Sequence, residues 1–454
     1  MIVSFSVSNF RSFSSEETLS LVASNRLSGH HDDHAVPIPD SKERVLRTAV
    51  LYGANGAGKS NLFKALRYVE VMVLRPRERN SGTGREVFRF GQARDVPSGF
   101  DLQFIADHKL YRFGFKVNDQ RIMEEWLVRV TGGQERTIYE RVTDEKGKVT
   151  IEGHGLRAGG EKLTALATVG GPQNQLFLAF VRASIDASDL SDELGVILTW
   201  FEGGMILIAP DAPLGSLGHV LTADSDLQRF AGEFLKSAST GVDHLEVLKK
   251  EISEDELRRL LPEGVVSGAL ENIAHAEVGK GLVIQGRGGD FLVERAGDNH
   301  YYRFAIQAAH EHQEGHLVAL DLAEESDGTR RLLDLTPALH DLQMRGAAYF
   351  IDEIDRSMHP MLVWKFLDFF LKSCSTGPGQ LIVTTHESNL LDLDLLRRDE
   401  IWFAEKDQTG ATRLYSMMDF KVRKDHEIRK HYLQGRFGAV PFLGNLDRLV
   451  EAES

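Results

Sequence analysis

Cysteine is almost absent from the sequence, since Cys374 is the one thiol among 454 residues. A single cysteine excludes an intramolecular disulfide framework and a cysteine-rich metal site. Long apolar stretches are also lacking, because no run reaches the roughly 18 residues that a membrane-spanning helix needs. Residues 1–13 alternate apolar and polar side chains, unlike a signal peptide. These absences predict a cytoplasmic globular chain of two or three domains, with no membrane partner.

Basic residues are outnumbered, because 53 Lys and Arg stand against 67 Asp and Glu and give a formal net charge of −14. Such an acidic chain is not coated with the basic surface that non-specific DNA binding needs, so any nucleic-acid contact must be local. Acidic residues interrupt both basic clusters, which favours solvated or partner-facing surfaces over phosphate contacts. The clusters consist of Arg75, Arg77, Arg79, Arg85 and Arg89, and of Lys421, Arg423, Lys424, Arg429 and Lys430.

A glycine-rich stretch, LYGANGAGKSNLF at residues 51–63, has the spacing of a phosphate-binding P-loop. Residues 47–51 are typical of a short buried strand, and apolar residues recur after the loop at helical spacing. Glycines let backbone N–H groups approach phosphate oxygens, while Lys59 would reach the β- and γ-phosphates and Ser60 would bind Mg²⁺. The predicted nucleotide-binding residues are Asn55, Gly56, Ala57, Gly58, Lys59, Ser60 and Asn61.

Two adjacent carboxylates follow a second apolar run, at residues 347–351. A buried strand there would deliver Asp352 and Glu353 to the sheet edge where ligands of open α/β sheets bind. Asp352 is therefore predicted to bind Mg²⁺ through water, together with Ser60, and Glu353 to orient and deprotonate the attacking water. About 290 residues separate Lys59 from Asp352, so a large insertion must split the sheet.

Two further polar positions complete this series. Ser326, Gly328 and Thr329 precede the leucine-rich residues 332–342, so they are predicted to lie at a helix N-terminus. A helix N-terminus with a glycine and a hydroxyl can bind an anion, although an ordinary helix cap gives the same pattern. His386 follows the apolar residues 380–385, which predict another buried strand.

This order of motifs resembles the ABC-type ATPase heads of the SMC and recombination-repair proteins. The resemblance implies that ATP holds two heads together, with Ser326, Gly328 and Thr329 of one copy capping the γ-phosphate bound to another. It implies hydrolysis by Glu353 and release of the heads. His386 would be the switch histidine that contacts the γ-phosphate.

The same resemblance implies three further positions. Arg11, within NFRSF at residues 9–13, would lie near the nucleotide. Gln92 would belong to the glutamine loop that contacts the metal. Residues 355–359 would link the two nucleotide sites, although His359 stands where the usual pattern has an aspartate.

A narrower resemblance covers most of the chain. The segments ESDGTR (325–330), DEIDRSMHP (352–360), TTH (384–386), RRDEIWF (397–403) and YLQGRFGAVP (432–441) are similar to those of the RloA-like ATPases grouped with the OLD family. The resemblance implies a bacterial anti-phage or abortive-infection ATPase that senses invasion through a nucleic acid or phage protein. Such an ATPase governs a nuclease or toxin, often of the TOPRIM type, encoded alongside.

The predicted architecture is α/β, an ABC/SMC-like P-loop head with a split sheet. The two halves of the head would be residues 1–150, which include an antiparallel meander, and residues 301–454. Residues 151–300 are predicted to form a mainly helical insertion without a long coiled coil, because no heptad is sustained over three repeats. A glycine-rich hairpin at residues 286–289 would lead back into the head. A fused TOPRIM nuclease is not expected in the residues after His386, so the effector would act in trans.

Two alternatives remain. The chain could be a DNA-repair or DNA-clamp ATPase that closes on duplex DNA, or a structural ATP binder that never hydrolyses.

A histidine-rich stretch, HHDDH at residues 30–34, carries metal-ligand side chains, but adjacent residues followed by Pro37 and Pro39 favour an ordinary loop. The segment GRFG at 435–438 favours a structural turn over a contact with nucleotide or a partner.

Overall fold

The computed structural model describes residues 1–78, 81–90, 95–158, 160–190, 192–211, 217, 220–221, 224–260, 273, 281–286, 289–297, 300–311, 316–373, 377–420 and 428–439. The chain divides into two compact units. The first unit comprises Met1–Ala209, Leu342–Ile354 and Trp364–Ser454, and the second comprises Pro210–Asp341 and Asp355–Val363. Predictions for Gln92, for Cys374 and for the basic residues 421–424 lie outside the described residues.

The first unit contains a largely parallel sheet, and all of its strands are parallel to their neighbours except the last one. Its central strands are runs of apolar residues buried on both faces, as parallel sheets between helices require. The predicted strands before the P-loop, before Asp352 and before His386 are all present. In spatial order the strands are β11 (Met205–Ile208), β17 (Ala348–Ile351), β18 (Gln380–Thr385), β5 (Thr48–Tyr52), β19 (Ile401–Lys406) and β20 (Thr412–Ser416).

An antiparallel sheet also belongs to the first unit, and it contains the predicted meander as β6, β7 and β8. Its strands alternate buried and less buried residues, the pattern of a sheet with one face on the core. In spatial order they are β10 (Val149–Glu152), β9 (Gln134–Thr143), β8 (Ile122–Thr131), β7 (Lys109–Val117), β6 (Ser98–Ala106), β1 (Ile2–Ser8) and β2 (Glu17–Ser20). A small hairpin joins β3 (Ala35–Pro37) to β4 (Arg44–Leu46).

The side chain of Gln380 joins these two sheets of the first unit. Its amide accepts a hydrogen bond from the backbone N of Ile2 at 2.7 Å and donates to the carbonyl oxygens of Ile2 and Leu46, each at 2.8 Å. Gln380 has no solvent exposure. Because an unpaired buried amide is costly, these three bonds fix β18 against β1.

Helices cover the sheets, and the apolar face predicted after the P-loop (Leu62, Leu66, Val69 and Val73) is buried. The residues from Trp200 to Gly204 form a π-helical turn. Among the described residues, no helix is both long enough and apolar enough to cross a membrane. The helices are α1 (Lys59–Leu74), α2 (His154–Ala158), α3 (Gly160–Val169), α4 (Phe177–Ser184), α5 (Asp192–Thr199), α6 (Ser225–Ser237), α7 (Glu254–Leu260), α8 (Asp327–Met344), α9 (Pro360–Ser373) and α10 (Ile428–Leu433).

The second unit contains an antiparallel sheet as well as helices. Strand β12 pairs with β15 from residue 242 to residue 252, β15 with β14, and β14 with β13, while β16 pairs with the far end of β15. Gly286 lies opposite Gly289, as expected of the predicted hairpin. The strands are β12 (Val242–Ile252), β13 (Gly281–Gly286), β14 (Gly289–Gly297), β15 (His300–Glu311) and β16 (Leu317–Asp321).

Residues 151–300 are thus only partly the helical insertion that the sequence predicts. The helices α2 to α7 fit the prediction, and no long coiled coil occurs in the described part of the chain, whose longest helix has 18 residues. The strands β11, β12, β13 and β14 depart from it. Pairing with distant partners outweighs local propensity at β12, whose leucines, lysines and glutamates favour a helix. Strand β11 lies in the head sheet, beside β17.

Candidate functional site

The P-loop connects β5 to α1 in the first unit. Gly56 and Gly58 have φ angles of 78° and 113°, a region in which side chains with a Cβ are strained. A Cβ on Gly53 would lie 2.5 Å from the carbonyl oxygen of Ala404, and one on Gly58 would lie 2.1 Å from Oγ1 of Thr412. The glycines at both ends of the loop therefore permit close packing against β19 and β20.

Lys59 begins helix α1 and is 4% exposed. Its Nζ donates to the carbonyl oxygen of Gly53 at 2.8 Å and to that of Ala54 at 3.3 Å. The ring nitrogens of His386 lie 3.2 and 3.3 Å from the same Nζ. The predicted P-loop lysine and the predicted switch histidine are therefore in contact.

Residues from distant parts of the sequence form hydrogen bonds that support the P-loop. Oγ1 of Thr412 donates to the carbonyl oxygen of Ala57 at 2.7 Å and lies 2.8 Å from Oγ of Ser12. The side-chain amide of Asn61 donates to the same Ser12 hydroxyl at 2.8 Å. Sequence reasoning missed Ser12 and Thr412, because no motif spacing marks a contact across about 400 residues.

The carboxylates of the second motif end strand β17. Asp352 is 2% exposed, and its Oδ1 accepts a hydrogen bond of 2.6 Å from the hydroxyl of Thr384. The same hydroxyl accepts a bond of 2.8 Å from the backbone N of Glu353. Glu353 has a φ angle of 49°, which is uncommon for a residue with a side chain and marks a constrained position.

The strand order brings these residues to one edge of the sheet. Strand β18, which leads into His386, lies between β17 and β5, and all three strands run in the same direction. Neighbouring strands are about 4.8 Å apart, so the strands ending at the carboxylates and at the P-loop are roughly 10 Å apart. This edge therefore combines a P-loop lysine, two carboxylates and a histidine.

Arg11 is the neighbour of Ser12, one of the residues that support the P-loop. Its backbone N donates to the carbonyl oxygen of Glu86 at 2.7 Å, and its guanidinium forms an ion pair with the Glu86 carboxylate. Arg11 precedes Ser12, whose hydroxyl contacts Asn61. A role of Arg11 at the nucleotide thus requires its guanidinium to leave Glu86, and it stays a prediction.

The residues of the serine-glycine motif lie in the second unit, where they form the predicted helix cap. Oγ of Ser326 accepts a hydrogen bond of 3.1 Å from the backbone N of Thr329 and lies 2.9 Å from its Oγ1. Ser326 is exposed, whereas Thr329 is buried. A Cβ on Gly328 would lie 2.9 Å from the carbonyl oxygen of Ser357. A capped, exposed N-terminus of α8 presents backbone N–H groups to an anion.

The residues 355–359 form a tight turn before helix α9. The backbone N of Met358 donates to the carbonyl oxygen of Asp355 at 3.1 Å, and Ser357 has a φ angle of 62°. Nδ1 of His359 accepts a bond of 3.2 Å from the backbone N of Met361. His359 therefore caps α9, a role that the aspartate of the family pattern could also fill.

The RRDEIWF segment has a structural role in the first unit. The guanidinium of Arg397 pairs with both carboxylate oxygens of Asp399, at 2.9 and 2.8 Å, and all of these atoms are buried. Glu400 lies 3.0 Å from Nδ1 of His34. Burial raises the pKa of Glu400, and the hydrogen bond from His34 opposes that shift. The RRDEIWF segment therefore joins the start of β19 to residues 24–34.

The histidine-rich stretch is more compact than its sequence suggests. Residues Asp32–His34 form a 3₁₀ turn, and His31 before it has a left-handed backbone conformation. The turn brings metal-ligand atoms of His31, Asp33 and His34 within 4.8 Å of one another. The sequence favours an ordinary loop here because the ligand types are adjacent. The 3₁₀ turn and the left-handed His31 before it bring these adjacent side chains together.

A family model and several solved structures are similar to the chain. A family model described as "AAA domain, putative AbiEii toxin, Type IV TA system" matches residues 49–392. No curated protein matches the chain. The family match confirms the predicted α/β P-loop ATPase fold, whereas the narrower resemblance to RloA-like ATPases of the OLD family stays a prediction.

Several solved structures resemble the chain in part. The SMC head domain from Thermotoga maritima has a TM-score of 0.37 at 11% identity, covering 91% of this chain and 98% of that chain. An SMC head bound to the C-winged helix domain of ScpA has a TM-score of 0.39 at 12% identity, covering 91% and 97%. An SMC head with an extended coiled coil, bound to the C-terminal domain of ScpA derived from Pyrococcus furiosus, has a TM-score of 0.33 at 12% identity, covering 91% and 96%.

Proposed function

Since the chain belongs to the family described as AAA domain, putative AbiEii toxin, Type IV TA system, we propose that it is an ATP-hydrolysing switch. The observation that carries this proposal is the sheet edge at which Lys59 contacts His386 and Thr384 holds Asp352 and Glu353. Phosphoryl transfer needs a cradle for the phosphates, a metal ligand and a group that orients the attacking water. Lys59 would contact the phosphates, Asp352 would bind the metal, and Glu353 would orient the water.

The P-loop would bind ATP through the N–H groups of residues 55–61. Lys59 would exchange its bonds to the Gly53 and Ala54 carbonyls for bonds to the β- and γ-phosphates. Ser60 and Asp352 would hold the Mg²⁺ that neutralises the developing charge. The hydroxyl bond from Thr384 fixes the Asp352 carboxylate for that task.

Glu353 would act as the general base. It follows the Mg²⁺ ligand directly, and its left-handed backbone departs from the extended conformation of β17. The hydrogen bond from its backbone N–H to Thr384 fixes the main chain that carries this carboxylate. His386 would contact the γ-phosphate from the neighbouring strand.

A second copy of the chain would complete the site. Ser326 is exposed at the capped N-terminus of an 18-residue helix, which is where a second copy can reach it. The Ser326 hydroxyl and the N–H group of Gly328 would then cap the γ-phosphate held by the partner. In this proposal ATP joins two heads, and hydrolysis separates them.

The switch would regulate a separate effector in a bacterial anti-phage or abortive-infection system. The family description refers to a toxin–antitoxin system, and the resemblance to RloA-like ATPases implies a nuclease or toxin that acts in trans. A nucleic acid or a phage protein would be the trigger. ATP-dependent pairing gives such a system two states that differ in the surface offered to the effector.

The decisive experiment uses Glu353→Gln, with Lys59→Ala as the matched control. We expect Glu353→Gln to bind ATP, to lose turnover by at least about 100-fold, and to double its mass with ATP and Mg²⁺ in light scattering. Lys59→Ala should bind no ATP and stay monomeric. Unchanged turnover in Glu353→Gln would rule out Glu353 as the base.

The trapped Glu353→Gln protein, purified from its host, also tests the biological role. Co-purification of a nuclease or toxin encoded nearby would support the regulatory role. Recovery of DNA alone, with an affinity that falls steeply as salt rises, would instead favour a clamp on duplex DNA.

A further inference from the structure

A cluster of metal-ligand side chains lies outside the nucleotide site, in the first unit. It consists of His31, Asp33 and His34, whose ligand atoms lie within 4.8 Å of one another, and it is the one such group among the described residues. We propose that this triad, called the HDH cluster below, binds a transition-metal ion of the Zn²⁺ type, independently of ATP and Mg²⁺.

The hydrogen bonds of the two imidazoles leave one nitrogen of each ring for a metal. Nδ1 of His34 lies 3.0 and 3.2 Å from the carboxylate oxygens of Glu400, so it carries the proton and Nε2 keeps its lone pair. Nε2 of His31 lies 3.1 Å from the carbonyl oxygen of Leu393, which accepts but cannot donate. Nδ1 of His31 is therefore the free acceptor.

These outer contacts are those that metal-binding histidines make in general. A ligating imidazole donates its other N–H to a carboxylate or a backbone carbonyl, which fixes the tautomer and the ring orientation. Glu400 has no exposure and His34 is 4% exposed, so this pair is held rigidly. The rings of His31 and His34 are stacked with centroids 4.6 Å apart, which places both on one side of the turn.

The third ligand is adjustable. A metal about 2.0–2.1 Å from each nitrogen needs ligand atoms closer together than 4.8 Å. Asp33 is exposed, so its carboxylate can rotate toward the two imidazoles without disturbing the core. Two histidines and a carboxylate suit Zn²⁺, Co²⁺ or Ni²⁺ rather than Mg²⁺, and they leave a fourth position for water.

The charges around the cluster permit a cation. Two guanidiniums lie beside the cluster. Arg44 donates to the carbonyl oxygen of Asp32 at 2.7 Å, and Arg397 donates to that of His30 at 2.9 Å. Its charge is offset by the buried bidentate pair with Asp399. Asp32 and Asp399 carry negative charges beside these guanidiniums, so Asp33 is the carboxylate left to offset a divalent ion.

A bound metal would connect two segments that are far apart in sequence. Through His31 and His34 it would fix residues 31–34 against Leu393 and Glu400. Glu400 precedes β19, which pairs with β5, the strand that leads into the P-loop. The metal would therefore stabilise the sheet beside the nucleotide site without contacting the nucleotide.

The test measures Zn²⁺ binding to the full chain, without an affinity tag and without nucleotide, by competition with a chromogenic chelator. We expect one Zn²⁺ per chain and a rise in the thermal midpoint when Zn²⁺ is added. Asp33→Asn should weaken binding by about 10-fold or more. His31→Asn, which tolerates the left-handed backbone, should do the same. Asp40→Asn, an exposed acid of the same segment, is the matched control and should bind as the wild type does.

Cobalt provides a second readout. Co²⁺ in the HDH cluster should give the intense visible absorption of a four-coordinate site in the wild type and in Asp40→Asn, and lose it in Asp33→Asn. Wild-type protein that binds no Zn²⁺ in the competition assay would overturn the proposal. So would Asp33→Asn and His31→Asn proteins that both retain wild-type affinity, because the ion would then be bound elsewhere.

Discussion

The hydroxyl of Thr384 donates to Oδ1 of Asp352 at 2.6 Å, across the boundary between two parallel strands. The hydroxyl oxygen of Thr384 also accepts the backbone N–H of Glu353 at 2.8 Å. One side chain therefore holds the proposed Mg²⁺ ligand and the backbone of the proposed base. Asp352 and Thr384 are both almost fully buried, so water cannot replace either bond easily. The geometry of the carboxylates therefore depends on β18.

Thr384→Val tests this dependence, because valine keeps the shape and removes the hydroxyl. We expect turnover of ATP to fall about 10-fold or more, since losing the two bonds costs on the order of 2 kcal/mol in positioning. ATP affinity measured by fluorescence should change much less. Thr384→Ser should restore turnover, and equal turnover in valine and serine variants would show that the hydroxyl has no positioning role.

The two P-loop glycines should differ in their tolerance of alanine. Gly58→Ala would place a methyl group 2.1 Å from Oγ1 of Thr412, whereas nothing lies within 4 Å of a Cβ on Gly56. Both positions have positive φ, which costs about 1 kcal/mol for alanine. Without nucleotide, the thermal midpoint should therefore drop further for Gly58→Ala than for Gly56→Ala. Equal drops would mean that the contact with Thr412 relaxes freely.

Asp334, in helix α8, should make stability depend on pH. Burial raises its pKa from 3.8 to about 7, although Arg331 and Arg330 act in the opposite direction. The folded state therefore keeps the carboxyl protonated where the unfolded chain has lost the proton. Stability from this group is fully present below pH 3.8 and is lost as the pH rises to about 7.

Asp334→Asn should remove that dependence. At pH 8 the variant should be more stable than the wild type by on the order of 2 kcal/mol, and the difference should shrink toward pH 4. Thermal midpoints measured from pH 4 to pH 8 test this. The exposed Asp211 provides the control, because Asp211→Asn should follow the wild type at every pH. The prediction would be contradicted if the thermal midpoints of Asp334→Asn and the wild type differed by the same amount at every pH.

The buried pair of Arg397 and Asp399 should be essential for stability but not for catalysis. Asp399→Asn removes the bidentate partner of Arg397 and leaves the longer ion pair with Asp32, at 3.9 Å. Breaking a buried pair costs about 3–5 kcal/mol. We expect a large drop in the thermal midpoint, with turnover per folded molecule nearly unchanged. Asp394→Asn, at an exposed position in the same segment, should leave the midpoint unchanged. Normal stability of Asp399→Asn would show that solvent reaches the pair.

Local signals in the sequence predicted the strands and loops of the nucleotide site. The glycine spacing before Lys59 and the apolar runs before Asp352 and His386 depend on neighbours within about ten residues, so they can be recognised without a structure. The cap formed by Ser326 follows the same logic, because its hydrogen bond spans three residues.

Contacts between distant residues could not be predicted in this way. Thr412 supports Ala57, and Thr384 holds Asp352, through pairings that only the sheet order defines. Strand β12 has the composition of a helix and is a strand because β15 pairs with it. The HDH cluster depends on one left-handed residue, His31, and no spacing rule indicates that backbone.

The position of β5 between β18 and β19 determines when the nucleotide site can form during synthesis. Both neighbours of β5 come from residues 380–406, so the P-loop strand has no partner on either side until that part of the chain has left the ribosome. Such long-range pairing is slow and leaves strand edges exposed in the meantime. A nascent chain that stops before residue 380 should therefore bind no ATP, and the cell obtains a nucleotide-responsive molecule only after residues 380–406 have been made.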